Sequence, residues 1–250
     1  MTRLVIALAM VLWSAHAYAQ TKPAQPPAKP APAPQKPTAA QPRPSQGPDN
    51  SIGVRGFVTV GAITFQAQES FEAILDTPSG IIFGGGGQIL LPGGFYAEVS
   101  ASRFRREGER VFVGPAPNRE VFKLGIPLEV MVTPLEITGG WRYRHCPRTA
   151  KPRVGRCQPT IIPYGGGGYS SYRYQETSDF ADPDEDIDDR FSGFHIVGGV
   201  EYLPIRWLAI GGEVAWSSIA DALGTAGVSQ AFDEDNLGGT TVRLKISIGR

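Results

Sequence analysis

Chemistry in this chain could be built from its cysteines, its histidines and one dense run of acids. Cys146 and Cys157 are its two cysteines. In a secreted protein a close pair of this kind forms a disulfide. Their 12-residue loop gives roughly 2–3 kcal/mol from loop-closure entropy. The pair is the one set of site residues that the sequence predicts. His145 alone does not complete a metal-ligand set beside it. The same turn carries Arg144, Arg148, Lys151, Arg153 and Arg156, either a solvated basic turn or a contact for an anion or partner. Residues 176–189 hold eight acids, and Asp182, Asp184, Asp186 and Asp188 alternate like the start of a calcium loop. The glycine and glutamate that such a loop needs at its sixth and twelfth positions are missing. A solvated loop is the simpler reading and a weak divalent-cation site the other.

His195 sits in mid-strand, and the sequence places no serine or acid beside it for general-base work. The glycine runs Gly84–Gly87 and Gly165–Gly168 lack the following Lys-Ser/Thr of a phosphate-binding loop. The chain therefore predicts no catalytic group, no cofactor, no metal and no enzyme.

The elements that carry these residues begin after a leader. Residues 1–19 have a positive start at Arg3, an apolar run from Leu4 to Trp13 and the small-residue site Ala17-Tyr18-Ala19. These predict a signal peptide cleaved before Gln20. Residues 20–50 are rich in Pro, Ala, Gln and Lys and predict an extended disordered periplasmic linker. It serves as a spacer or as a tether to peptidoglycan or a periplasmic partner. Residues 51–250 are long enough for one folded domain. Setting aside Arg3, Lys22, Lys29, Lys36, Arg43 and Asp49 from 24 basic and 24 acidic residues leaves 19 against 23, a net charge of −4. Nothing here favours nucleic acid. No apolar run reaches the roughly 18 residues of a membrane helix, which leaves strands as the way to cross a bilayer.

Strand patterns recur along the folded part. In the last, Val242, Leu244, Ile246 and Ile248 alternate with Thr241, Arg243, Lys245 and Ser247, so one face is aliphatic and the other polar. Eight strands are predicted: 54–66, 80–91, 94–113, 120–144, 161–175, 191–203, 206–217 and 238–249. Pro92-Gly93 and Leu203-Pro204-Ile205 make tight turns between them. Long segments follow the first, third, fifth and seventh strands, and Phe71–Leu75 (FEAIL) suggests a short helix in the first. The fourth strand changes phase at Thr133-Pro134, where a turn would give nine strands and a bulge eight. A bulge is the reading adopted, because it returns both termini to one side.

Aromatics cluster near strand ends: Phe57, Phe65, Tyr96, Phe104, Trp141, Tyr143, Tyr164, Tyr172, Tyr174, Phe194, Tyr202, Trp207 and Trp216. They suit the interfacial girdles of a membrane barrel. The inner face is expected to hold Arg55, Glu98, Lys123, Glu129, Glu136, Arg142, Arg173, Glu201, Glu213, Arg243 and Lys245, closed by paired charges. A lipocalin-type soluble barrel would be the reverse, apolar within and polar without.

The stretches GGWRYR (139–144), IIPYGGGGYSSYRY (161–174), VGGVEYLPIRWLAIGGEVAW (197–216) and DEDNLGGTTVRLKISIGR (233–250) resemble the outer membrane protein beta-barrel domain family. These are the small opacity-type and OmpA/OmpX-like barrels, and the resemblance runs over most of residues 52–250. It implies an all-β fold, an eight-stranded antiparallel up-and-down transmembrane β-barrel in the outer membrane. Lipid, lipopolysaccharide and the barrel-assembly machinery are the implied partners. The chain departs from the family in ending Ile248-Gly249-Arg250 where an aromatic is usual. A monomer acting through its outer loops in adhesion or envelope integrity is the expected function. A narrow solute channel, a lipid-modifying enzyme and a soluble ligand-binding barrel are the alternatives.

Overall fold

The computed structural model describes residues 52–114, 118–144, 161–178, 180, 187–224 and 227–249. The leader, the linker, the Cys146–Cys157 turn and the centre of the acidic run lie outside them.

Eight strands close on themselves in sequence order. They are β1 (Gly53–Phe65), β2 (Ser79–Leu90), β3 (Phe95–Val113), β4 (Val121–Arg142), β5 (Ile161–Thr177), β6 (Ile187–Ile205), β7 (Leu208–Ser218) and β8 (Gly239–Gly249). Every neighbouring pair is antiparallel, and β8 returns to β1 from Gly249 against Arg55 to Gly239 against Phe65. One end carries the two tight turns, at 91–94 and 206–207, the long connection from Arg142 to Ile161, and both termini of the barrel. The other carries the helix α1 (Gln68–Leu75) and, between β7 and β8, the short helix α2 (Gly227–Phe232). The FEAIL segment is the core of α1. Among the described residues no helix is long and apolar enough to cross a membrane.

One turn and one bulge differ from the sequence reading. Pro204 lies inside β6, at a register shift between Tyr202 and Ile205, and the tight turn is Arg206-Trp207. β4 has no bulge at Thr133-Pro134. Its register with β3 runs unbroken from Ala101–Leu135 to Phe104–Val132, and the irregularity falls at Glu109–Val111 instead. The pleat never changes phase: Leu128, Val130, Val132, Pro134, Glu136, Thr138 and Arg142 all point inward and are buried. The chemistry of the two faces changes instead. Above Pro134 the interior is apolar and the outer face, with Glu129 and Thr133, is polar; below it the reverse holds. The eight-strand topology survives on other grounds than those the sequence offered.

Extensions of β3–β6 carry the barrel wall past its neighbours. β3 loses β2 after Phe104 and continues with β4 alone to Val113. β6 begins at Ile187, earlier than the pattern suggested, because residues 187–190 pair with 173–176. Arg173 clasps Asp188 there through two bonds of 2.7 and 2.5 Å.

The outer surface divides into bands. Val242, Leu244, Ile246 and Ile248 are 57, 48, 38 and 57% exposed, and Val54, Val58, Ile81, Phe83, Val99, Leu135, Ile137, Ile196, Val200 and Val214 are exposed beside them. The band covers roughly 7–9 residues per strand, about 25 Å at ~3.3 Å each. Phe95, Trp141, Tyr143, Tyr202 and Trp207 ring its lower edge, and Tyr169, Phe194 and Trp216 lie at its upper edge. Trp141 donates to the Gly93 carbonyl at 3.0 Å. A continuous apolar belt of this size has no place in water, and a closed barrel leaves no strand edge unsatisfied in lipid. The girdle is smaller than the sequence suggested. Phe57, Phe65, Tyr96, Phe104, Tyr164, Tyr172 and Tyr174 point into the barrel and are buried.

Candidate functional site

The interior is layered. At the short-turn end Ile162, Leu203 and Ala209 form a small apolar cluster. Above it lies a layer of charge. Glu201 on β6 accepts from Arg55 of β1 at 3.3 Å and from Arg142 of β4. Lys245 of β8 reaches both oxygens of Glu98 on β3, at 2.7 and 2.6 Å, and lies 4.1 Å from the centre of the Phe57 ring. Arg243 joins Glu213 of β7 to Glu136 of β4. Tyr164 donates to Glu213 at 2.5 Å and Gln88 to Glu98 at 2.9 Å. Four carboxylates and four cations thus interlock across the lumen among the described residues, each at most 8% exposed. Room for the larger side chains comes from glycine. A Cβ on Gly140 would stand 2.6 Å from the Tyr96 ring, and one on Gly166 2.7 Å from its hydroxyl.

Eight of the expected inner-face residues are in this layer: Arg55, Glu98, Glu136, Arg142, Glu201, Glu213, Arg243 and Lys245. Lys123, Glu129 and Arg173 are not. They stand on the strand extensions, where Lys123 pairs with Asp76 at 2.6 Å and Glu129 with Arg105 at 2.5 Å. Glu129 and Arg173 sit at odd positions of β4 and β5, whose even positions point inward, so they face out of the barrel; Lys123 lies in the exposed upper part of β4.

His195 does face the lumen, and the structure supplies partners that the sequence could not place. Its Nδ1 is 2.8 Å from Ser170 Oγ and its Nε2 2.8 Å from Thr138 Oγ1. The spacing is that of a nucleophile and its base, but Ser170 is 0% and His195 1% exposed. The pair ties β4, β5 and β6 together and meets no solute. Among the described residues no group of His, Cys, Asp and Glu is placed to hold a metal.

Above His195 the lumen is filled by Ile63, Phe65, Ile82, Phe104, Val132 and Tyr172, packed against Phe71 and Leu75 of α1 and Ile219 and Leu237 of the β7–β8 loop. This plug is the part that sequence reasoning missed. Its signal was present in the apolar even positions of β4 above Pro134 and in the apolar face of α1. Gly108 lets α1 sit directly on β3, since a Cβ there would meet the Ile74 carbonyl at 2.3 Å.

α1 has no N-cap of its own. Glu234, from the β7–β8 loop, supplies one. Its carboxylate accepts from the Glu69 and Ser70 amides at 3.0 and 2.8 Å and from the Ser70 hydroxyl at 2.6 Å, where the helix dipole also favours negative charge. Glu234→Ala is expected to cost about 1 kcal/mol and to speed hydrogen exchange of the α1 amides. The β1–β8 strand amides, measured in the same sample, should not change.

Glu176, on the β5 extension, accepts from the Tyr174 hydroxyl, with Arg110 nearby. Burial raises its carboxyl above the ordinary range, against the opposing pull of Tyr174 and Arg110. A raised folded-state value means stability present below the ordinary carboxylate value and lost as pH climbs through the raised one. Exchange at residues 174–177 should therefore quicken across that window, and Glu176→Gln should remove the dependence.

A closed antiparallel barrel, apolar where it meets lipid and charged within, is a transmembrane β-barrel protein of eight strands. No family model matches the chain, and no curated protein matches its sequence. Among solved structures it is similar to Neisserial surface protein A, at 10% identity over 81% of this chain and 99% of that one, with a TM-score of 0.46. It is similar to a major outer membrane protein from Thermus thermophilus, at 12% identity over 79 and 99%, with a TM-score of 0.45. A third is the N-terminal β-barrel domain of Pseudomonas aeruginosa OprF, at 10% identity over 82 and 100%, with a TM-score of 0.41. At these identities the likeness is one of strand arrangement alone.

Proposed function

We propose that the protein is a non-enzymatic outer-membrane barrel, closed to solutes, that works through the structured loops at its helix-capped end. One observation carries this reading: the lumen holds a neutral interlocked charge layer beneath an apolar plug, with α1 and the β7–β8 loop folded over it. Bacterial outer-membrane barrels have short periplasmic turns and long outer loops. On that rule α1 and the β3–β6 extensions face outward, and the chain termini face the periplasm. Cleavage before Gln20, a periplasmic linker over residues 20–50 within reach of peptidoglycan, a Cys146–Cys157 disulfide in a periplasmic turn, delivery by the barrel-assembly machinery and lipopolysaccharide neighbours belong to the same reading. A surface-contact or envelope-integrity role follows from a rigid outward face on a barrel with no through-path.

The test is conductance in planar bilayers, on protein whose gel mobility shifts on boiling. A silent bilayer is expected. Regular unit steps from the boiling-sensitive species would overturn the closed-barrel reading and make the protein a channel.

A further inference from the structure

The helix-capped end is hollow above the plug. A cavity of about 670 Å³ opens there between α1, the β3–β4 and β5–β6 extensions and the β7–β8 loop. That volume lies within the ~300–1,000 Å³ range of small-molecule sites. Ile74, Leu75, Leu124, Leu128, Phe191 and Leu223 line its apolar side. The floor is the packed plug, so the cavity is a dead end. Arrival there ends in capture and not in transport. That argument rests on the closed-barrel reading above.

The polar side is mostly acidic. Glu176, Asp189 and Asp221 line it, with Arg110 as the cation among the described lining residues. Glu176 is the placed member of the set: it stands beside apolar walls and its carboxylate is held by the hydroxyl of buried Tyr174. Three carboxylates against one guanidinium leave an excess of negative charge beside apolar walls. An anion entering there would lose its hydration and meet repulsion. A cation with an apolar body would bury the body against Ile74 and Leu124 and present its charge to the acids. The same excess turns away the anionic headgroups of surrounding lipid.

We propose that this cup binds a small amphipathic organic cation, an amine with an apolar body of drug-like size. The ammonium meets Glu176 and Asp189, and the body fills the space between α1 and β4.

The experiment uses the folded full-length protein in phosphatidylcholine nanodiscs, with empty nanodiscs as blank. Dansylcadaverine is the probe, a fluorescent aromatic carrying a primary ammonium; its N-acetylated, uncharged analogue is the comparator. Saturable, blue-shifted binding of one probe per barrel is expected, at least tenfold tighter than for the acetylated analogue. Leu124 is 52% exposed, so Leu124→Arg should fold normally and weaken binding at least tenfold. Glu176→Gln combined with Asp189→Asn should bring the probe down to the affinity of the analogue. Emission equal to the blank, equal affinity for the two compounds, or indifference to Leu124→Arg in a barrel that still shifts on boiling would each overturn the site. A boiling-sensitive barrel that stays silent in bilayers yet ignores the probe sinks the site alone. One that conducts removes the dead end on which the site depends.

Discussion

Glu201→Leu is expected to destabilise the folded barrel by about 3–5 kcal/mol, the cost of breaking a buried charge pair from one side. Glu201 is 1% exposed and is the shared acceptor of Arg55 and Arg142, which are 7 and 4% exposed. Removing it leaves two guanidinium groups in the same part of the lumen with their counter-charge gone. The check is a urea titration of the barrel in lipid vesicles, read by the boiling-sensitive gel shift. Adding Arg142→Met and Arg55→Leu to Glu201→Leu should recover much of the loss, because an apolar replacement for a whole buried ion cluster is often neutral or stabilising. A single variant as stable as the parent would mean that the layer is wet and screened, and the lumen correspondingly open.

Phe65→Ala should cost a similar amount, about 3–5 kcal/mol for a large buried ring. Phe65 is 1% exposed, stacks on Phe71 of α1 with ring centres 4.1 Å apart and meets Phe104 edge-on at 5.0 Å. It is the ring that joins the wall of the barrel to its cap. Its loss should therefore act in two places: lower resistance to urea, and faster hydrogen exchange across α1 even in the folded protein. Urea resistance falling with no change at α1 would show that the cap is held by Glu234 and the loop, and not by the plug. Glu201 and Phe65 lie in separate layers, so their effects should add.

Much of the architecture was legible in residues such as Val242, Leu244, Ile246 and Ile248. Strict alternation places them on one face, and the polar partners Arg243 and Lys245 on the other, whatever the rest of the chain does. The same logic located β1–β3, β7 and the FEAIL helix to within a residue or a few. It also put Arg55, Glu98, Glu136, Glu201 and Glu213 inside. The reading went astray wherever the environment of a face changes along one strand. Val130 and Ile137 are both apolar and stand on opposite faces of β4, so a rule that equates apolar with lipid needs a bulge between them. The structure needs none, since Val130 packs in the plug and Ile137 faces lipid. Tyr172 and Tyr164 look like girdle residues by position, yet their parity turns them inward. Lys123 and Glu129 failed for the same reason: without a phase change at Pro134 the odd positions of β4 face outward, and Arg173 faces outward between the buried Tyr172 and Tyr174 of β5.

The sequence by itself determined that this is a strand protein with one polar and one apolar face per strand, because a side-chain period of two is a local property of the backbone and needs no partner to be true. The tertiary structure alone decided which acid meets which base, and at what height the interior turns from charged to apolar. Glu201 is separated from Arg55 by 146 positions and from Arg142 by 59, and Glu234 from the α1 amide of Ser70 by 164. Those meetings depend on the register of every strand in between and on the closure of β8 on β1, which sum over the whole barrel and are written in no single segment of it.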